Sequence, residues 1–72
     1  HAPHVTVHEG TLTIGNLPVG AEVHICDMPG RTLLHEGCTR HPVLSLPIPA
    51  AGVYTICITA DNHSFTTKTI IR

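Results

Sequence analysis

The sequence AAGVYTICITADNHSFTTKTIIR occupies residues 50–72. Two runs within it, 53–59 and 65–71, are rich in β-branched and aromatic residues, and the Asp-Asn-His-Ser segment at 61–64 between them consists of residue types that are common in turns. This pattern predicts a β-hairpin. Alternation along the first run predicts one inward and one outward set of side chains. The inward set is Tyr54, Ile56 and Ile58, and the outward set is Thr55, Cys57 and Thr59.

Shorter alternating segments precede this hairpin. Residues 5–8 and 11–14 flank a Glu-Gly pair and predict a first hairpin, and residues 21–26 and 31–36 flank a Pro-Gly pair and predict a second. In the first hairpin the expected faces are Val5 with Val7 on one side and Leu12 with Ile14 on the other. Residues 43–46 predict a short strand, and the prolines that follow it favour an edge strand or an extended connector over a central strand.

No apolar set recurs with helical spacing, and about seven short strands are separated by turn signals. The sequence therefore predicts an all-β antiparallel sandwich with Greek-key-like connections, formed as a single domain over residues 1–72. Only 12% of the residues are charged and the formal net charge is −1, so there is no basic surface to attract nucleic acid. No apolar run is long enough to predict a membrane span.

The chain has three cysteines, Cys26, Cys38 and Cys57, without Cys-x-x-Cys spacing. An odd and sparse set does not predict a disulfide framework, and at most one bridge can form within the chain. We expect the three side chains to be buried or half-buried as small apolar groups.

Histidine is abundant, with seven residues in the chain. The N-terminal three, His1, His4 and His8, are candidates for a metal site, in which the amine and imidazole of His1 would chelate copper and His4 or His8 would be a third nitrogen donor. His4 and His8 share one side of a strand but lie roughly 13 Å apart at about 3.3 Å per residue. We therefore expect no specific metal site and no cofactor.

Catalysis also finds little support. Cys57, His63 and Asp61 are the residue types of a nucleophile, a base and an orienting carboxylate. However, His63 and Asp61 fall in the expected turn, whereas Cys57 falls in the middle of a strand. The pair His35 and Glu36 is expected to be solvated, and a thin aliphatic core leaves little room for a pocket. The sequence favours a protein that is not an enzyme.

Five segments in order give the chain a resemblance to a known family. They are GTLTI at 10–14, LPxGAxVxIxDxxGR at 17–31, LSL at 44–46, PAAGVY at 49–54 and KTIIR at 68–72. Together they resemble the C-terminal sorting domain of cargo proteins of the type IX secretion system of Bacteroidetes. The resemblance covers most of the chain from Gly10 onward.

The resemblance implies a small immunoglobulin-like sandwich that serves as a secretion signal. An outer-membrane translocon would recognise the domain, and a sortase would remove it from the cargo domain that precedes it in the same chain. The protein would then be secreted or placed on the cell surface through the periplasm and outer membrane. The implied recognition residues are Lys68, Thr69, Ile70, Ile71 and Arg72, and the implied family motif residues are Gly52, Val53, Tyr54, Asp27 and Gly30.

A terminal strand offers a physical mechanism for recognition, because an extended segment can add to the sheet edge of another protein. The alternative is a secreted or periplasmic immunoglobulin-like module for adhesion or scaffolding. Exposed strand edges also predict a homodimer formed by edge pairing.

Overall fold

The computed structural model describes residues 3–72, which form seven strands in two antiparallel sheets. The strands are β1 (His4–His8), β2 (Thr11–Gly15), β3 (Glu22–Asp27), β4 (Thr32–Glu36), β5 (Leu44–Pro47), β6 (Gly52–Ala60) and β7 (His63–Ile71). Within this range there is no helix of the length and apolarity needed to cross a membrane. The predicted all-β sandwich is confirmed.

The two sheets have the strand orders β1-β2-β5 and β4-β3-β6-β7. In constant-type immunoglobulin domains the fourth strand lies in the first sheet. Here a tight turn at residues 28–31 keeps β4 paired with β3 in the second sheet. The strand β5, which ends at Pro47, lies at the edge of the first sheet as the prolines predicted.

Two hairpins turn within two residues. Asp61 and Asn62, with φ of 49° and 68°, connect β6 to β7, and Glu9 and Gly10, with φ of 50° and 75°, connect β1 to β2. Two successive positive φ values are typical of the type I′ turn, whose twist matches that of the paired strands. The prediction of a turn over residues 61–64 was therefore too long, because pairing resumes at His63 opposite Ala60.

The core lies between the sheets, and its largest fully buried side chains come from strands on both sides. These are Leu12, Ile14, Val23, Ile25 and Ile56. The predicted inward set of β6 is confirmed: Tyr54, Ile56 and Ile58 are all buried. The outward set is half-buried or exposed.

The prediction that the first hairpin places its valines and its Leu-Ile pair on different faces was wrong. Val5 lies opposite Ile14, and Val7 lies opposite Leu12. Directly paired residues of an antiparallel ladder point to the same side, so all four face the core, with the valines half-buried at its margin. The two-residue turn sets this register.

The Tyr54 side chain fixes the connection into β6. Its hydroxyl donates a hydrogen bond of 2.5 Å to the backbone carbonyl of Ala50. A tyrosine at the start of the sixth strand that bonds back to the preceding connection is the tyrosine corner of immunoglobulin-like sandwiches. Immunoglobulin-like sandwiches share this feature, and what the structure confirms is the predicted antiparallel β-sandwich of seven strands.

At the opposite end of the sandwich, the connections β2–β3 and β4–β5 are hydrogen-bonded to each other. Leu17 N donates to Pro42 O at 2.9 Å, and Gly20 N donates to Thr39 O at 2.8 Å. Thr39 N in turn donates to Ala21 O at 3.0 Å. We call this the crossover end, since both connections pass there from one sheet to the other.

Candidate functional site

Three of the segments that carry the family resemblance meet at one end of the four-stranded sheet. Asp27 of β3 lies opposite Tyr54 of β6, and Tyr54 lies opposite Thr69 of β7. Two pairs further along the ladder, Gly52 lies opposite Ile71. Residues 27–31, 50–54 and 69–72 thus form one surface, which we call the motif end.

The Asp27 side chain closes the turn between β3 and β4. Its carboxylate accepts a hydrogen bond from the backbone N–H of Arg31 at 2.8 Å and another from the Nε of Arg31 at 2.9 Å. Gly30, with a φ of 93°, donates its N–H to Asp27 O at 3.0 Å. A positive φ is tolerated best by glycine, so these motif residues shape the turn.

The second motif segment surrounds the tyrosine corner. Gly52 has a φ of 156°, and a Cβ at this position would lie 3.7 Å from the ring of Tyr54. Val53 is half-buried and lies opposite Ile70. A shallow cavity of about 190 Å³ separates this segment from the β3–β4 turn, with Met28 and Tyr54 among its lining residues.

The last five residues divide into exposed and inward-facing side chains. Lys68, Ile70 and Arg72 are exposed, and Ile70 retains 60% of its accessible surface. Thr69 is half-buried, while Ile71 is only 3% exposed and belongs to the core. A partner could therefore contact the first three by their side chains, and Ile71 through its main chain.

The strand that carries these residues is an edge strand. Within the described part of the chain, β7 pairs only with β6, so one row of its backbone groups has no strand beside it. Among its nine residues only Lys68 carries a full charge. Three of the four Lys and Arg residues of the chain, Arg31, Lys68 and Arg72, lie at or next to the motif end.

The N-terminal metal candidates are separated. His4 and His8 are both exposed at the two ends of β1, and His1 lies outside the described residues. In the side-chain conformations of residues 3–72, no three His, Cys, Asp or Glu side chains converge on a point that could hold a metal ion.

The residues considered for nucleophilic catalysis do not meet. Cys57 faces outward and receives a hydrogen bond from the Oγ1 of Thr66 at 3.8 Å. His63 lies three pairs further along the ladder, on the opposite face, where it lines a shallow cavity of about 310 Å³ at the crossover end. This cavity is larger than the thin aliphatic core predicted.

Sequence reasoning missed a polar cluster on the outer face of the four-stranded sheet. His35 lies opposite His24, with ring centroids 5.1 Å apart, and the Nε2 of His24 lies 3.5 Å from the Sγ of Cys26. His35 contacts Glu22 at 2.8 Å, and both His35 and Glu36 are exposed to solvent as predicted. The register between β3 and β4, which no local pattern reveals, creates this cluster.

The three cysteines are free thiols in different surroundings. Cys26 and Cys57 are half-buried as expected, whereas Cys38 is exposed and corrects that expectation. Cys38 follows the end of β4 in the connection to β5, where its side chain does not face the core.

Comparison with known proteins finds no protein-family model that matches this chain and no curated protein that matches it.

Proposed function

We propose that this protein is a non-catalytic secretion signal domain whose motif end and terminal strand are read by an export translocon. The observation that carries the proposal is the convergence of residues 27–31, 50–54 and 69–72, which are far apart in sequence, on one end of the sandwich. A recognition signal distributed over three segments needs a folded domain to assemble it.

The proposed mode of recognition is strand addition along β7. Main-chain hydrogen bonds from the free edge would supply affinity, and the side chains that alternate along the strand would supply specificity. Lys68 and Ile70 face the same outer side, as their alternation in the strand requires. A receptor strand could therefore contact a basic group at Lys68, an apolar group at Ile70 and a second basic group at Arg72.

In the same proposal, the proteins that act on this domain are the type IX translocon and its sortase, and the cargo is a domain that precedes it in the chain. The destination is the cell surface or the medium, reached through the periplasm and the outer membrane. Asp27, Gly30, Gly52, Val53 and Tyr54 hold the surface in shape, because they form the turn and the tyrosine corner.

The experiment is an export assay in a bacterium that has this secretion system. A fluorescent reporter with a periplasmic signal peptide is fused ahead of the chain, and the surface and medium fractions are measured. We expect Lys68→Glu combined with Ile70→Ser to reduce export strongly, since both side chains are exposed and their replacement leaves the core intact.

The matched control combines Arg40→Glu with Val43→Ser. Both residues are exposed and lie in the β4–β5 connection, away from the motif end. Export of this control should equal that of the unmodified fusion. Equal export of both double variants, or export that persists in a strain without the translocon, would refute the proposal.

A second candidate, an adhesion or scaffolding module that pairs with another copy of itself, is favoured by the length of the free edge. An edge strand of nine residues with one charged side chain is poorly protected against pairing. Sedimentation equilibrium should then show a dimer that Thr66→Lys, at an exposed position of β7, weakens. A monomer at millimolar concentration would exclude it.

A further inference from the structure

The outer face of the four-stranded sheet gathers nitrogen and sulfur donors from three adjacent strands. His24 of β3 lies opposite His35 of β4 on one side and opposite Cys57 of β6 on the other. Cys26 stands two residues beyond His24 on the same face. We call His24, Cys26, His35 and Cys57 the outer-face donor cluster.

Two members already have the separation that a tetrahedral ion requires. The Nε2 of His24 and the Sγ of Cys26 are 3.5 Å apart. Metal–ligand distances of about 2.3 Å for sulfur and about 2.05 Å for nitrogen, at the tetrahedral angle, place the two ligand atoms about 3.6 Å apart. The Oγ1 of Thr32 lies 2.8 Å from the same nitrogen, so metal binding requires this hydrogen bond to break.

The third member is oriented by a carboxylate. The Nε2 of His35 lies 2.8 Å from the Oε2 of Glu22, which leaves its Nδ1 available as a ligand. Histidines that bind metals usually donate their other ring N–H to such a group. The ring of His35 is also close, with its centroid 5.1 Å from that of His24.

The fourth member needs a side-chain rotation. The Sγ of Cys57 is engaged by Thr66 on the β7 side, although its backbone lies directly opposite His24. Rotation about the Cα–Cβ bond would turn the thiol toward β3. Three donors do not converge in the present side-chain conformations of residues 3–72, so binding requires this rotation, the release of Thr32 and a turn of the His35 ring toward the ion.

We propose that the outer-face donor cluster binds a borderline or soft transition-metal ion such as Zn²⁺. His24, Cys26 and His35 are the principal ligands, Cys57 completes the tetrahedron, and Glu22 positions His35. Two thiolates and two imidazoles form a donor set that Zn²⁺ prefers. Binding releases the thiol protons to solvent, so affinity falls on acidification. The site is independent of the secretion proposal, since it lies on the sheet face and not at the motif end.

The experiment is a titration of the reduced full chain with Co²⁺, followed by competition with Zn²⁺. We expect thiolate-to-cobalt charge-transfer absorption and the intense visible bands of a tetrahedral ion. Cys26→Ser and His24→Ala should abolish this spectrum, and Glu22→Gln should weaken Zn²⁺ affinity by about 10-fold or more. Cys57→Ser should roughly halve the charge-transfer intensity, because one of two thiolates is lost.

Two controls separate this site from other donors. Cys38→Ser removes the exposed thiol in the β4–β5 connection, and the double variant His4→Ala, His8→Ala removes the histidines of β1. Both should keep the full spectrum, and circular dichroism should show that every variant remains folded. Absence of the charge-transfer band in the unmodified protein, an equal loss in Cys38→Ser, or an unchanged spectrum in Cys26→Ser would overturn the proposal.

Discussion

Tyr54 is the only tyrosine of the chain, and its ring and hydroxyl have separate roles. The ring is buried in the core, while the hydroxyl bonds to Ala50 O. Tyr54→Phe keeps the ring and leaves that carbonyl without its donor. We expect a loss of about 1–2 kcal/mol in the free energy of unfolding. Urea denaturation measures it, and an unchanged midpoint would mean that water replaces the hydroxyl at no cost.

Ile56 illustrates how little stability a chain of this size has to lose. At 0.05–0.15 kcal/mol per residue, the free energy of unfolding should be roughly 4–11 kcal/mol. Ile56 is fully buried, so Ile56→Val should cost about 0.5–1.5 kcal/mol and Ile56→Ala about 2–5 kcal/mol. Ile70→Val on the exposed face is the matched control and should change stability by less than about 0.5 kcal/mol. Similar losses at both positions would contradict the assignment of the two faces.

The β1–β2 hairpin has a turn residue that does not suit its conformation. Glu9 has a φ of 50°, where asparagine is preferred at the first position of a type I′ turn. Its contact with His8 at 3.9 Å joins two well-exposed side chains and contributes little. We expect Glu9→Asn to raise the melting temperature by a few degrees, equivalent to about 0.5–1 kcal/mol.

The control for this prediction is Glu36→Asn, which removes the same charge at an exposed strand position. It should lower stability slightly or leave it unchanged, because asparagine is disfavoured in strands. If both variants raised the melting temperature equally, the cause would be the change in net charge and not the turn.

The strands themselves were readable from sequence because their signals are local. The alternation around Ile56 and the Asp-Asn pair at 61–62 are patterns of neighbouring residues, and the structure has a strand at the first and a turn at the second. The side of the sheet that Val5 faces depends on the register of β1 with β2, which the two-residue turn helps to set. The contact of His24 with His35 depends on the register of β3 with β4, which a shift between Ile25 and Cys26 helps to set. Register is a property of pairs of strands, so a single strand does not show it.

The candidate site was predictable to a similar degree. The sequence placed Lys68 and Arg72 at a terminal strand, and the structure adds that Asp27 and Gly52 stand beside them. The structure also assigns Ile71 to the core and Ile70 to the surface. Alternation along the strand predicts that these two side chains point to opposite faces, but which face is buried depends on the position of the other sheet. The outer-face donor cluster combines residues from three strands, so no pattern within a single segment of the sequence predicts it.

At the scale of the whole molecule, the sandwich is tied at both ends by connections and not only by its core. The tyrosine corner holds the motif end, and the paired β2–β3 and β4–β5 connections hold the crossover end. Thr39 is buried there, with its Oγ1 3.5 Å from Pro18 O. Both connections run from one sheet to the other. We therefore expect that breaking the hydrogen bonds between the two connections requires the two sheets to separate.

Hydrogen exchange measured by NMR tests this coupling. The backbone N–H groups of Leu17, Gly20 and Thr39 lie outside the strands, yet each is bonded across the two connections. If the crossover end opens only with global unfolding, their protection should approach that of Ile56 in the centre of β6. Arg40 is exposed, and within residues 3–72 its N–H forms no backbone hydrogen bond between the two connections. It is the control and should exchange fast. Exchange of Thr39 as fast as that of Arg40 would instead mean that the connections open locally while the two sheets stay packed.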